Sequence, residues 1–207
     1  MSNRVAIVDH GQSNLNSIAR AIEECGGTPL VTDDPAVLRQ ANRIVLPGVG
    51  AFPAAIASLR AKGLFDALLE EVAHRPVPLL GICLGMQLLA QHGSEGGEHA
   101  GLGLIPGKVV RFSPANDERV PHMGWNEVRP VLDSALFKGI EDNTDFYFVH
   151  SYYLDCPAAN TLARTPYCGE FASAAANGGV MAVQFHPEKS QRAGFQLLRN
   201  FLAIQAC

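Results

Sequence analysis

The sequence predicts an α/β fold: an open, mostly parallel central sheet flanked by helices, continued by an antiparallel extension. Three observations carry that expectation. Short apolar runs alternate with stretches of helical periodicity through the first half of the chain, the pattern of strands joined by crossover helices. The segment Pro78 to Gln87, PLLGICLGMQ, sets a cysteine between two glycines where an apolar run stops and a helix-forming stretch starts. From Lys108 onward the texture changes to short strand-like runs separated by Pro, Gly, Asn and Asp, which reads as mixed and partly antiparallel sheet.

Taken in order, Val5 to Val8 is an apolar run of the buried parallel-strand type, and it ends in Asp9, His10 and Gly11. Leu15, Ile18, Ala19, Ile22 and Cys25 then recur at helical spacing, and Gly26 with Gly27 supplies the stop. Thr28 to Thr32 predicts a second strand, Asp33-Asp34-Pro35 a helix start, and Arg43 to Leu46 a third strand. That strand runs into the glycine-rich loop PGVGAF, Pro47 to Phe52, at the carboxyl end of a strand, where open α/β sheets place their sites. It is not a dinucleotide loop, because Pro53 stands where a third glycine is needed, and it has no Walker lysine. Helical segments follow at Ala54 to Leu59 and Leu64 to His74, then the cysteine strand and a helix over Met86 to Gln91. The stretch Gly93 to Gly101 is too polar and glycine-rich for a regular element. Strands are expected at Lys108 to Phe112, Trp125 to Arg129, Phe146 to Val149, Thr161 to Arg164 and Val180 to Phe185. Gln191 to Ala206 closes the chain as an amphipathic helix with Phe195, Leu198, Phe201 and Leu202 on its core face.

With no internal repeat and no disordered linker, one domain over residues 1–207 is expected. A net charge of -4 without any Lys/Arg block leaves no electrostatic footprint for nucleic acid or an anionic membrane. The N-terminal apolar run is too short for a signal peptide and no stretch reaches the length of a membrane span, so a cytoplasmic protein is expected. The five cysteines are odd in number, scattered and without a CxxC pair, which suggests reduced thiols and neither a disulfide framework nor a metal site. No cofactor is expected.

The chemistry centres on Cys83. In a nucleophile elbow the strand turns so sharply that the residues two places either side must be small, and Gly81 and Gly85 satisfy this. The turn sets the cysteine at a helix N-terminus, which favours the thiolate. Alone, the motif favours a buried core cysteine, which is what most free cysteines are. A base is supplied by QFHPEKS, Gln184 to Ser190: if the segment is extended, His186 and Glu188 point to one face, and Pro187 keeps His186 out of the helical region. Glu188 then fixes the imidazole tautomer and leaves the other ring nitrogen for Cys83. Other histidines, His10, His74, His92 and His99, are expected in solvated loops or on helix surfaces, and no pair has metal-ligand spacing.

GICLGMQ together with QFHPE resembles the class I (triad) glutamine amidotransferases. More narrowly, VDHGQSNLNSIARAIE, LPGVGAF, PHMGWN, FVHSYY and QFHPEKSQ resemble the family of glutaminase subunits of imidazole glycerol phosphate synthases, over the whole length. The resemblance implies a flavodoxin-like sheet and a Cys83–His186–Glu188 triad that hydrolyses L-glutamine through a thioester. It implies an oxyanion hole from the amide of Leu84 and, in the glycine loop, Val49 or Gly50, although Gly48 and Gly50 also serve as a simple tight turn. Gln87, one helical turn from Cys83, is expected beside the nucleophile and bonded to substrate. Glu95 is assigned to the α-ammonium group, as against an exposed loop carboxylate, and the backbone of His150, Ser151 and Tyr152 to the amino-acid end. The implied partner is a (β/α)₈-barrel cyclase subunit in a heterodimer that receives the ammonia in histidine biosynthesis. Its docking face is expected to include Lys189, Asn14, His122, Met123 and Trp125, the last being compatible with core packing as well. A peptidase or amidase built on the same elbow is the alternative of a different reaction class and predicts turnover without a partner.

Overall fold

The computed structural model describes residues 3–75, 77–115 and 117–205. The chain runs β1 Arg4–Val8, α1 Leu15–Glu24, β2 Thr28–Thr32, α2 Pro35–Leu38, β3 Arg43–Gly48, α3 Phe52–Ala61, α4 Leu64–His74, β4 Leu79–Cys83 and α5 Leu84–Leu88. The second half comprises β5 His92–Gly93, β6 His99–Ala100, β7 Lys108–Arg111, β8 His122–Pro130, β9 Thr144–His150, β10 Tyr152–Asp155, β11 Thr161–Pro166, β12 Glu170–Asn177, β13 Val180–Val183 and α6 Gln191–Ala203. Short 3₁₀ turns occupy Ala135–Phe137, Ala158–Asn160 and Pro187–Lys189.

Among the described residues, nine strands form one sheet in the order β2-β1-β3-β4-β13-β12-β11-β8-β9. The first five are mutually parallel and the rest antiparallel, as expected from the change of texture at Lys108. A smaller sheet, β10-β7-β5-β6, lies beside it. The parallel strands carry apolar side chains on both faces. Val5, Ile7, Val45, Leu80 and Ile82 pack with α1 and α6, whereas Ala6, Val8, Ile44, Leu46 and Leu79 pack with α3 and α4. The successive residues of a strand point to opposite faces, so burial on both sides produces the unbroken apolar runs seen in the sequence.

Several elements depart from expectation. The helix after Cys83 is one turn long, Leu84–Leu88, and not Met86 to Gln91. The segment 101–105 ends it, because the amides of Leu102, Ile105, Gly103 and Gly101 bond the carbonyls of Leu88, Leu89, Ala90 and Gln91, the groups a longer helix would need. Within the stretch expected to be irregular, β5 and β6 pair antiparallel around the glycine-rich turn, and β5 also pairs with β7. Two further strands were not expected. The alanine-rich β12, EFASAAAN, has little β-propensity of its own, but lies between β11 and β13, which impose its pairing. β10 is held by β7. The last helix ends at Ala203, with Ile204 extended, and does not run on to the expected end at Ala206, which lies with Cys207 outside the described residues. Cys25, Cys83, Cys156 and Cys168 are free thiols. No described helix is long and apolar enough to cross a membrane.

Candidate active site

The carboxyl ends of β1, β3, β4 and β13 meet at one edge of the sheet, and the elbow stands at its centre. Cys83 has φ 54 and ψ -111, a backbone conformation that L-residues avoid and that tertiary packing must hold. The flanking glycines make the packing possible. A Cβ on Gly85 would lie 1.7 Å from the carbonyl oxygen of Leu46 in β3, and one on Gly81 would lie 2.6 Å from Leu89 Cδ1. Gly85→Ala therefore must push α5 off β3, and is expected to cost about 3 kcal/mol of stability. A urea titration checks this, with a lower midpoint at unchanged slope as the expected result.

The base is positioned from the far end of the chain. His186 follows β13 in extended conformation, with φ -101 and ψ 95, as Pro187 requires. The residues after it do not stay extended: Pro187–Lys189 forms a 3₁₀ turn. The turn, in place of the expected strand pleat, brings Glu188 Oε1 to 2.9 Å from His186 Nδ1, with both side chains almost fully buried. Three contacts fix this turn. The His186 amide donates to the Tyr147 carbonyl at 2.9 Å, its carbonyl accepts from Ser190 Oγ at 2.6 Å, and the Tyr147 amide donates to Ser190 Oγ at 3.0 Å. Gly194 lets α6 close on the turn, since a Cβ there would lie 1.9 Å from the Pro187 carbonyl oxygen.

Cys83 and His186 line one cavity of about 280 Å³ with Val49, Gly50, Leu84, Gln87, Glu95, Val149, His150, Ser151 and Tyr152, a size suited to an amino acid more than to a larger ligand. A larger groove of about 740 Å³ beside α6 is open and apart from these groups. Cys83 Sγ lies 3.9 Å from the Val149 carbonyl and 3.7 Å from Gln184 Nε2. His186 Nε2 is buried with no hydrogen-bond partner among the described residues, and the residue lines the same cavity as Cys83. Burial by itself lowers the His186 pKa, but the interactions with Cys83 and with Glu188 outweigh it and raise the imidazole to about 10. A histidine so held favours its charged form, ready to give a proton to a leaving group.

The structure brings most of the expected site together, with corrections. Leu84, at the first position of α5, has an amide with no acceptor inside the helix. The Val49 amide, by contrast, donates to the Gln12 carbonyl at 2.9 Å, so in this conformation it is not offered to the cavity. Gly50 has φ 99, open to glycine and strained for other residues. Gln87 stands beside the nucleophile as expected, but its Nε2 is taken by the Tyr152 carbonyl at 2.9 Å and Gln184 Oε1 at 3.1 Å. Its first role is thus to tie α5 to β10. Glu95 is half-buried and not a free loop carboxylate: Oε2 accepts from the Phe52 amide at 2.7 Å, at the N-terminus of α3, where a negative charge is favoured.

The expected docking residues divide. Met123 is 63 % and Trp125 48 % exposed; Trp125 is not core, and its ring meets Tyr147 edge-on at 6.0 Å. Lys189 is exposed, its Nζ 5.9 Å from the centre of the same Tyr147 ring. Asn14 is exposed beside Gly48, Val49, His186 and Glu188. His122 does not belong with them. The alternation of β8 turns it inward while Met123 and Trp125 point out, and it is stacked on Tyr167 at 3.9 Å and Phe148 at 4.7 Å. His10 is likewise not solvated: it is fully buried, with Nε2 2.8 Å from the Pro47 carbonyl at the root of the glycine loop. Sequence reasoning missed His10, Gln184 and Ser190 as parts of the site. Gln184 carried a signal, being a polar residue directly after an apolar strand inside the histidine motif.

Comparison with known proteins adds an independent line. Residues 6–204 match the family model for glutamine amidotransferase class-I. The chain is 51% identical over 198 residues to imidazole glycerol phosphate synthase subunit HisH of Moorella thermoacetica, covering 95% of this chain and 93% of that protein. With the subunit of the same name from Pseudomonas putida it shares 47% identity over 206 residues, covering 96% of each. Among solved structures, a glutamine amidotransferase aligns with TM-score 0.75 at 20% identity, covering 96% of both chains, and PurLQS of Thermotoga maritima with TM-score 0.74 at 17% identity, covering 98% of both. The structural likenesses speak to the fold alone, while the family match spans nearly every strand and helix that builds the cysteine elbow and its histidine. The chain belongs to the class-I glutamine amidotransferases.

Proposed function

We propose that the chain is the glutaminase subunit of an imidazole glycerol phosphate synthase, a single-domain protein over residues 1–207 that works in the cytoplasm as a heterodimer with a cyclase subunit. One observation carries the reading. A cysteine elbow and a buried His186, backed by Glu188, line one amino-acid-sized cavity, in a chain alike over its length to proteins named as that subunit.

In this reading the thiolate of Cys83 attacks the side-chain carbonyl carbon of glutamine, and the carbonyl electron pair moves onto oxygen. The Leu84 amide stabilises that oxyanion. His186 gives its Nε2 proton to the nitrogen as the C–N bond breaks, and ammonia leaves. Neutral His186 then takes a proton from water, whose oxygen attacks the thioester; glutamate departs and the Cys83 thiolate returns. Glu188 fixes the ring and stabilises its charged form. The Ser151–Tyr152 backbone and Glu95 hold the amino-acid end. A second oxyanion donor from Val49 requires the Gly48–Val49 peptide to leave Gln12, a movement for which Gly48 and Gly50 supply the freedom. Ammonia protonates in water and loses its nucleophilicity, so it must be passed directly to an acceptor enzyme. Met123, Trp125, Lys189 and Asn14 are exposed and form the docking face, with Trp125 as an aromatic anchor.

Mixing the chain with the cyclase subunit tests the reading. The expected result is a stable complex that hydrolyses glutamine at least about tenfold faster than the isolated chain, as completion of an oxyanion hole allows. Absence of binding and of stimulation removes this pathway assignment. Full turnover without a partner would favour a free-standing amidase.

A further inference from the structure

We propose that His122 and His150 are positioning residues for the amino-acid end of glutamine, acting through a one-way hydrogen-bond chain that ends on the Tyr152 peptide in the cavity wall. The inference rests on the glutaminase reading and adds two side chains whose hydrogen bonds go to each other, to Asn126 and to Tyr152 and not to the Cys83–His186–Glu188 set.

The chain is four groups long: Asn126 Nδ2 lies 3.2 Å from His122 Nε2, His122 Nδ1 3.0 Å from His150 Nε2, and His150 Nδ1 2.8 Å from the Tyr152 carbonyl. Its direction follows from elementary donor counting. A carbonyl only accepts, so His150 carries its proton on Nδ1. In a neutral ring Nε2 is then an acceptor, which requires the His122 proton on Nδ1 and makes His122 Nε2 an acceptor in turn. It meets an amide donor, because Asn126 Oδ1 takes the Glu127 amide at 2.9 Å and so faces the other way. The second Asn126 Nδ2 hydrogen goes to the Pro166 carbonyl at 3.1 Å. Burial keeps both rings neutral, lowering the pKa of His122 to about 4 and of His150 to about 3. No proton is left over and none is missing.

The two ends give the chain its meaning. At one end the Tyr152 carbonyl also accepts from Gln87 on α5, and the adjoining Ser151 carbonyl accepts from the Phe112 amide at 3.0 Å. The 151–152 backbone is therefore held from three elements where it lines the cavity. At the other end, β8 places His122 opposite His150 and Trp125 opposite Tyr147, so the strand that anchors the chain also carries the exposed Met123 and Trp125. A shift of β8 on docking is transmitted to the substrate-holding peptide by rigid, fully satisfied groups, because a broken link leaves a buried nitrogen unpaired.

Two variants at one position separate the hydrogen bond from the packing. His122→Phe keeps the stack on Tyr167 and Phe148 and removes the donor; His122→Asn keeps a donor near the Nδ1 position and removes the stack. In the complex with the cyclase subunit, His122→Phe is expected to raise KM for glutamine about tenfold with kcat within about twofold, the signature of lost uniform binding. His122→Asn is expected to stay within about twofold of the wild-type KM. A wild-type KM in His122→Phe, or equal losses in both variants, overturns the inference. If His122→Phe does not fold, ¹⁵N spectra of the wild-type histidines decide: both rings as the Nδ1–H tautomer support the chain, and an Nε2–H tautomer at either overturns it. A wild-type complex that fails to hydrolyse glutamine overturns the glutaminase reading and this inference together, whereas an active wild type with a normal His122→Phe overturns the inference alone.

Discussion

Cys83→Ala is expected to abolish glutamine hydrolysis, by on the order of 10⁴-fold or more, while the fold and the complex with the cyclase subunit survive. The size follows from the arrangement. The sulfur lies 3.7 Å from Gln184 Nε2 and 3.9 Å from the Val149 carbonyl, and no other thiol lines the cavity among the described residues, so no neighbour replaces it. Stability should be nearly unaffected, because removing one sulfur leaves a small void and alanine at φ 54 is no more strained than cysteine. The same variant carries a second readout. Without Cys83 the His186 imidazole loses a partner that raises its pKa, so its NMR titration should move down from about 10. Full activity in Cys83→Ala would show that the nucleophile lies elsewhere, and an unmoved titration would show that the two residues do not interact.

Glu188→Gln has the second largest expected effect, a fall in kcat on the order of 10³- to 10⁴-fold, by analogy with other orienting carboxylates. The substituted amide has nearly the shape of the carboxylate and can still contact Nδ1, but it brings no charge to the imidazolium and can present an N–H that demands the wrong tautomer. The pH dependence of stability separates this from a packing defect. A His186 pKa raised above its unfolded value contributes stability that is fully present below about 6.5 and is lost as pH rises through about 10. The wild type should therefore exceed Glu188→Gln in stability most clearly near the low end of that window, about pH 6, with the gap narrowing toward about pH 10. A gap independent of pH would mean that the pair is held by shape and not by charge. Wild-type kcat in Glu188→Gln would remove Glu188 from the mechanism.

The parallel half of the sheet, the order of its helices and the identity of the chemical groups are legible in the amino-acid sequence. Burial on both faces writes parallel strands as unbroken apolar runs, and the elbow writes its close contacts as Gly85, against Leu46 of β3, and Gly81, against Leu89 and the Gly85 backbone, because no other residue fits. Both marks fall on residues close together in the chain, so they are legible there. Tertiary structure alone decided the remainder. The helix after Cys83 stops at Leu88 because residues 101–105 take its carbonyls, and β12 is a strand because β11 and β13 enclose it despite its alanines. His10 and His122, read as a solvated loop residue and a docking residue, are buried by neighbours far away in sequence. The direction of the glycine loop turned on one hydrogen bond, from Val49 to the Gln12 carbonyl, and a backbone hydrogen bond leaves no mark on side-chain identity. The elements and their chemistry are local properties; which polar groups find each other across the fold is not.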